Sequence, residues 1–328
     1  MQVFDDAGNL VRTLSGAGDP VWLDAGTFEA YEVGQFPPAD PNPDAFSQFH
    51  TVPGQSVDVA SGAIANVTLP CCYAMSNGHG AVAVAKNMPG LAGGAGSKNP
   101  SFAVWQDGSL SPEHDGEPLA WDANGDKLAV LHATQPTNGA SGSVEVLSWP
   151  GLTSLYTSDT KEAVDATFDP SGAYVSYAID SKDGAGALRM TVDVADLAAG
   201  TVATIAIAGD PTKYDEGYFW NDQGQILTYT GAAPVLSTYQ SDGTKIADLD
   251  VPPSTSFTAS SDGTTLISSQ IGPNGYASPV SIYRGGVTTP LNIPGEVHNF
   301  SIAPDGRQLL VIVGSDAGET AYLAAIPL

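Results

Sequence analysis

The side chains able to do covalent or metal chemistry in this chain are few, and their spacing argues against most familiar reactions. Cys71 and Cys72 are the only cysteines, and they are adjacent. Reduced, they are small apolar side chains; oxidised, they would form a vicinal disulfide with Cα atoms about 3.8 Å apart, below the usual minimum of about 4.4 Å. Such a bridge is strained and easily reduced, so thiols are expected in a reducing compartment and a bridge only in an oxidising one. His50, His79, His114, His132 and His298 show no H-E-x-x-H pair or other ligand spacing, and no G-x-S-x-G nucleophile turn occurs. Asp122, Asn124 and Asp126 alternate like the first ligands of a calcium loop, but position twelve is Ala133 rather than Glu, which leaves an Asn-Gly hairpin turn. The glycines of GLAGGAGSK, residues 90–98, could offer N–H groups to an anion. Lys98 follows Ser97, however, and Pro100 leads into the strand-like FAVW, so the order Gly-Lys-Ser/Thr before a helix is missing. No constellation is complete, and the expectation is a chain without intrinsic catalysis.

The elements that carry these residues repeat. An aromatic or aliphatic residue, a turn closed by Gly and a short apolar strand recur as WDANGDKLAV from Trp121, FDPSGAYVSY from Phe168, WNDQGQILTY from Trp220, ASSDGTTLIS from Ala259 and IAPDGRQLLV from Ile302. Weaker copies begin at Trp22 (WLDAGTFEAY) and Ala74 (AMSNGHGAVA). Their glycines, Gly26, Gly78, Gly125, Gly172, Gly224, Gly263 and Gly306, are 39 to 52 residues apart, about 47 on average, so the chain holds seven units. In each unit the residue four before the Gly is expected to pack inward while the Gly takes the positive φ of a tight turn. Apolar side chains three and five places later, such as Leu128 and Val130, Val175 and Tyr177, Leu227 and Tyr229, and Leu309 and Val311, predict a strand with one face buried. Third and fourth strands follow, as in VLSTYQ, the turn SDG, and KIADLDV.

Four short antiparallel strands at this period describe a propeller blade. The fold expected is all-β, a single seven-bladed β-propeller over residues 1–328, closed by N-terminal strand pairing with the C-terminal blade. Within that closure Leu10–Leu14 is expected as the fourth strand of the last blade, with Gln2–Phe4 as an extra edge. The SPDG-like turn between an aromatic residue and an apolar strand, clearest at Ile302–Val311 and Phe168–Tyr177, resembles the TolB-type, WD-like propeller repeat. True WD repeats end their third strand in Trp-Asp, whereas Trp121-Asp122 opens a turn here. The resemblance implies a binding or scaffold platform and transfers no catalytic residue.

Turns joining strands one to two and three to four share one face of such a disc, and in this sequence they are short. The other connections are long: 34–44, 86–100, 133–142, 180–187, 209–217, 272–279 and 315–319. Loops raised on a rigid scaffold are where binding residues concentrate. The candidate ligand contacts are therefore Tyr214, Tyr218 and Tyr276, with Asp215 beside them and Cys71 and Cys72 as a lip near the channel. Tyr combines large contact area with low entropy cost. Inner-strand starts offer Asp165, Asp215, Glu216, Glu296 and His298 to the channel. They allow a structural cation but imply no cofactor, and which metal they would take is unknown.

Composition narrows the partner. With 36 acids against 11 basic residues the net charge is −25, which repels phosphate backbones, so no nucleic-acid partner is expected. Asp outnumbers Glu 27 to 9, in keeping with turn chemistry rather than helices. No run reaches the length of a membrane span. The acidic, lysine-poor surface suits a secreted or cell-envelope bacterial protein, or a salt-adapted one. Three functions are therefore weighed: a monomeric platform binding a protein or glycan; a propeller hydrolase or lyase with a channel metal; and an accessory propeller of a larger peptidase, kinase or envelope protein.

Overall fold

In the computed structural model the described residues are 2–4, 10–13, 17–24, 26–32, 49–71, 73–86, 100–133, 141–182, 188–207, 217–230, 235–250, 255–259, 266–271, 277–284, 287–291, 296–303, 308–315 and 318–325. Every regular element among them is a β-strand. The chain divides into two compact units, one spanning Arg12–Ala166 and the other Thr167–Leu328 together with Gln2–Val11.

Two short strands come first, β1 (Gln2–Phe4) and β2 (Leu10–Thr13). In the first unit, β3 (Ala17–Trp22), β4 (Thr27–Glu32), β5 (His50–Asp58) and β6 (Ile64–Cys71) pair in chain order as an antiparallel meander. A second meander joins β7 (Tyr73–Ser76), β8 (Ala81–Lys86) and β9 (Ser101–Gln106), with the two-residue strands β10 (Ser109–Leu110) and β11 (His114–Asp115) both pairing with β9. The third contains β12 (Glu117–Trp121), β13 (Lys127–Ala133), β14 (Gly142–Ser148) and β15 (Thr153–Thr157). The boundary between the units falls inside β16 (Ala163–Phe168), which opens a meander continued by β17 (Tyr174–Lys182), β18 (Leu188–Asp196) and β19 (Val202–Ala206).

In the second unit, β20 (Gly217–Trp220), β21 (Ile226–Thr230), β22 (Val235–Tyr239) and β23 (Lys245–Asp250) form a separate four-stranded sheet. There follow β24 (Thr255–Ala259), β25 (Leu266–Ile271), β26 (Ala277–Arg284) and β27 (Val287–Pro290), and then β28 (Glu296–Ile302), β29 (Gln308–Ser315) and β30 (Gly318–Ala325). Strand β1 lies against β30 in parallel, with Val3 opposite Ala321 and Phe4 opposite Tyr322. The order at this edge differs from the expected one: Gln2–Phe4 takes the position beside β30, and β2 lies outside it. Parallel pairing with a distant strand leaves no local turn signal, so the sequence pattern favoured the longer apolar segment.

Burial explains why the strands are short and apolar. β8 is buried along nearly its whole length, and in β13 the run from Leu128 to Leu131 is buried. Both faces of these second strands are covered, not the single face that a period of two implied; near-continuous apolar runs are what two-sided burial requires. Ala81, Ala83, Phe102 and Val104 of the second meander pack with Trp121, Leu128, Val130 and Leu147 of the third. Val192, Val194, Ile205 and Ile207 pack with Trp220 and Ile226 in the same way. Val280 and Ile282 do so with Val297, Leu309, Val311 and Val313.

Candidate functional site

At one end of the strands the turns repeat a side-chain device. Asp122 accepts the backbone N–H groups of Asp126 and Lys127, both at 2.9 Å, and Asn221 accepts those of Gln223 and Gln225 at 3.0 and 2.9 Å. Asp169 accepts from Ser171 and Tyr174. The closing glycines Gly125, Gly172 and Gly224 have φ between +67° and +69°, which only Gly adopts without strain.

The second meander shifts this register. Asn77 plays the part of Asn221, accepting from His79 and Ala81 at 2.8 and 2.9 Å, so the closing residue is Gly80, with φ +90°; the expected Gly78 also has a positive φ, +72°, but stands two places earlier in the turn. Ser76 then stands where Trp121 and Trp220 stand in their own units. In the first turn Gly26 closes without a positive φ, its N–H donating to Asp24 Oδ1 at 2.8 Å. Gly263 and Gly306 lie outside the described residues.

Neighbouring meanders are latched at this end. Trp121 Nε1 donates to Met75 O (2.9 Å) and Trp220 Nε1 to Ser176 Oγ (2.8 Å). Ser76 Oγ donates to Leu23 O (2.9 Å), and Asn77 Nδ2 to Gly125 O (3.0 Å). His79 Nε2 lies 3.2 Å from Ala123 O. The carboxylates of the calcium-loop-like segment are spent on Lys127, whose Nζ is 3.1 Å from Asp122 Oδ2 and 2.8 Å from Asp126 Oδ1. That turn is therefore structural.

Antiparallel pairing sends the remaining connections out of the opposite strand ends. Residues 33–48, 87–99, 134–140, 183–187, 208–216, 272–276 and 316–317 of those connections lie outside the described residues, and with them Tyr214, Asp215, Glu216, Tyr276 and the glycine-rich 90–98 segment. Cys72 is also outside; Cys71 ends β6, with its backbone opposite His50. Of the three candidate tyrosines, Tyr218 is described. It sits on β20, half-buried against the Trp220 and Val192 cluster, and its hydroxyl donates to Ser176 O at 3.2 Å.

The bases of two long connections carry polar clasps. Lys86 Nζ is 2.6 Å from Glu113 Oε2 and 4.7 Å from the centre of the Phe49 ring, and the ammonium holds the Glu113 carboxyl below its usual range. His132 Nε2 is 2.7 Å from Glu145 Oε2, just before residues 134–140. His114 stacks on Phe102, ring centres 5.6 Å apart.

Among the inner-strand acids, the structure brings Asp165 of β16 into electrostatic contact with Glu117 of β12, which sequence reasoning missed. Burial raises the Glu117 carboxyl above its ordinary range, and the Asp165 charge adds to the rise. Asp165 reaches solvent yet stands among densely packed protein. That loss of hydration raises its carboxyl, while the Ala166 N–H on Oδ1, at 2.8 Å, opposes the rise. The available signal was position: Glu117 precedes Trp121 on its strand much as Asp165 precedes Phe168. Among the described residues no group of three or more His, Cys, Asp or Glu is arranged to hold a metal. Glu296 and His298 both belong to β28. No helix of the described residues is long and apolar enough to cross a membrane.

No protein-family model matches the sequence, and no curated protein does. Solved structures do. The β-propeller domain of the Trilobed protease from Pyrococcus furiosus, described as having an open velcro topology, superposes with a TM-score of 0.62 at 10% identity over 95% of each chain. A chain of the Mitotic Checkpoint Complex gives 0.56 at 12% identity, covering 96% of this chain and 91% of that one. Pyrococcus horikoshii acylaminoacyl peptidase gives 0.54 at 14% identity over 74% of this chain. The match spans 42% of that peptidase chain. At such identities the likeness shows the fold alone: the chain has a β-propeller fold.

Proposed function

We propose that the chain is a seven-bladed, TolB-type propeller, one domain over residues 1–328, that acts as a non-catalytic platform binding a protein or glycan through its long connections. The observation that carries this reading is how fully the turns at one strand end are used up by the fold itself. At one end the polar side chains of the turns are consumed by their own backbone and by the neighbouring meander, as with Asp122, Asn221 and Asn77. What remains for recognition is the other end, where the sequence places its long connections. Because the Tyr218 hydroxyl is committed to Ser176 O, Tyr214 and Tyr276 carry the aromatic contact, with Asp215 between them in role. The acidic surface suits an extracytoplasmic monomer.

Glycan and peptide arrays probed with the labelled chain test this. Binding is expected, and Tyr214→Ala with Tyr276→Ala is expected to abolish it at unchanged melting temperature. Binding retained by the folded double variant rejects the assignment.

A second reading, an accessory propeller of a larger peptidase, is favoured by the match to 42% of acylaminoacyl peptidase chains. It requires a hydrolase domain encoded in the same gene or beside it, which sequencing of the flanking DNA decides.

A further inference from the structure

The outermost strands of the meanders are open edges, and most carry a recognisable protection. A strand edge offers unpaired N–H and C=O groups to any extended chain, and natural proteins blunt it with charge, brevity, bulges or cover. β10 and β11 have two residues each. β15 pairs through a bulge between Val146 and Leu147. β19 is covered by the turn of the next meander: a Cβ on Gly243 would lie 3.5 Å from Thr204 O and 3.8 Å from Ala203 Cβ. β23 carries Lys245, Asp248 and Asp250.

β6 has almost none of this. Its eight residues, IANVTLPC, contain no charge, and Pro70 near the end is its one interruption. Its pairing with β5 runs without a bulge from Val57–Ile64 to His50–Cys71, and among the described strands nothing pairs with its outer side. Ile64, Ala65, Asn66 and Thr68 are exposed, Ile64 to 40%. In an antiparallel ladder every second residue points its N–H and C=O away from the partner, so Ile64, Asn66 and Thr68 offer donors and acceptors outward that no described strand pairs with, while Pro70 offers only its C=O.

The geometry points to β6 as a strand-addition site for an extended, cationic segment of another protein, a surface independent of the long-connection face. Main-chain hydrogen bonds would supply the binding and alternate side chains the selectivity. Charge decides the occupant. A second copy brings another −25 to the interface, whereas a lysine- or arginine-bearing strand meets an uncharged edge inside an acidic field.

The probe is a fluorescein-labelled peptide of alternating Lys with Val or Thr, read by fluorescence anisotropy on the full chain. Its comparators are the same peptide with Glu for Lys, and an equally charged peptide with Pro at alternate positions that cannot pair. Tight binding of the Lys peptide alone is expected. Asn66→Lys with Thr68→Lys is expected to weaken it about tenfold or more at unchanged melting temperature, while Thr153→Lys with Leu155→Lys on β15, an equal change in charge, leaves it intact. Equal binding of the Pro peptide, equal loss in both double variants, absence of binding, or a concentration-dependent dimer abolished by the β6 lysines would each overturn the assignment.

Discussion

At the residue scale, two glycines with the same backbone conformation are expected to differ sharply. Gly125 and Gly224 both have φ near +68°, but a Cβ on Gly224 meets nothing within 4 Å. On Gly125 it would lie 2.5 Å from His79 Cδ2 and 2.9 Å from both Asn77 Nδ2 and Asn77 O. Gly224→Ala should therefore cost only the left-handed strain, about 1–2 kcal/mol. Gly125→Ala adds a clash with a buried amide and should cost about 3 kcal/mol or more, measurable by urea unfolding. Equal losses would mean that the latch to Asn77 gives way freely. The Glu117–Asp165 pair gives a pH prediction. A carboxyl raised in the fold binds its proton more tightly there than in the unfolded chain, so its contribution is present below about pH 4.3 and is lost as pH rises through the folded value. Glu117→Gln should thus raise the melting temperature at pH 7 and do so less at pH 4. A lower melting temperature at pH 7 would show that the charged form has a partner.

At the element scale, the unit of stability is the contact between successive meanders, latched by the aromatic residue four places before the closing glycine. Trp121→Phe keeps the ring in its cluster but leaves Met75 O without the indole donor, an expected loss of about 1 kcal/mol. Ser176→Ala strands the buried indole N–H of Trp220 and should cost more, about 1–3 kcal/mol. Amide exchange would locate the first loss at β7 and β12, the second at β17 and β20; uniform loosening in either variant would contradict a local latch. This level of the structure was the most legible from sequence, because Trp121, Phe168 and Trp220 are large residues at fixed distance from a turn glycine, and all three are buried. In the second unit the closing glycine stands two residues later than the pattern predicts because Ser76, not an aromatic, fills that place, and its latch is a hydroxyl on Leu23 O. Glu117 escaped notice because one acid near a strand start has no local partner; its neighbour Asp165 lies far along the chain and becomes adjacent only through folding. Loop length and the contact area of Tyr point to the long-connection tyrosines, but neither signals that the Tyr218 hydroxyl is fastened to Ser176 O.

At the scale of the whole molecule, charge acts where contacts do not. A chain with 36 acids and 11 basic residues repels itself in the folded state, and ion pairs can offset this for at most 11 of the acids, since cations are outnumbered more than three to one. Lys127 is tied to Asp122 and Asp126, Lys86 to Glu113, and Lys245 to Asp248 at 2.8 Å. The last pair is exposed on both sides and contributes little. These pairs are short-ranged, whereas the repulsion among the remaining acids is spread over distances that salt screens efficiently: the Debye length falls from about 30 Å at 0.01 M to about 3 Å at 1 M. Screening should therefore remove more repulsion than attraction. The melting temperature is expected to rise continuously between about 0.01 M and 1 M sodium chloride. Chloride is the salt to use, because sulfate also stabilises by exclusion from the protein surface. A melting temperature that falls with added chloride would mean that the ion pairs outweigh the net charge, and that the acidic surface is organised by attraction rather than held apart by repulsion.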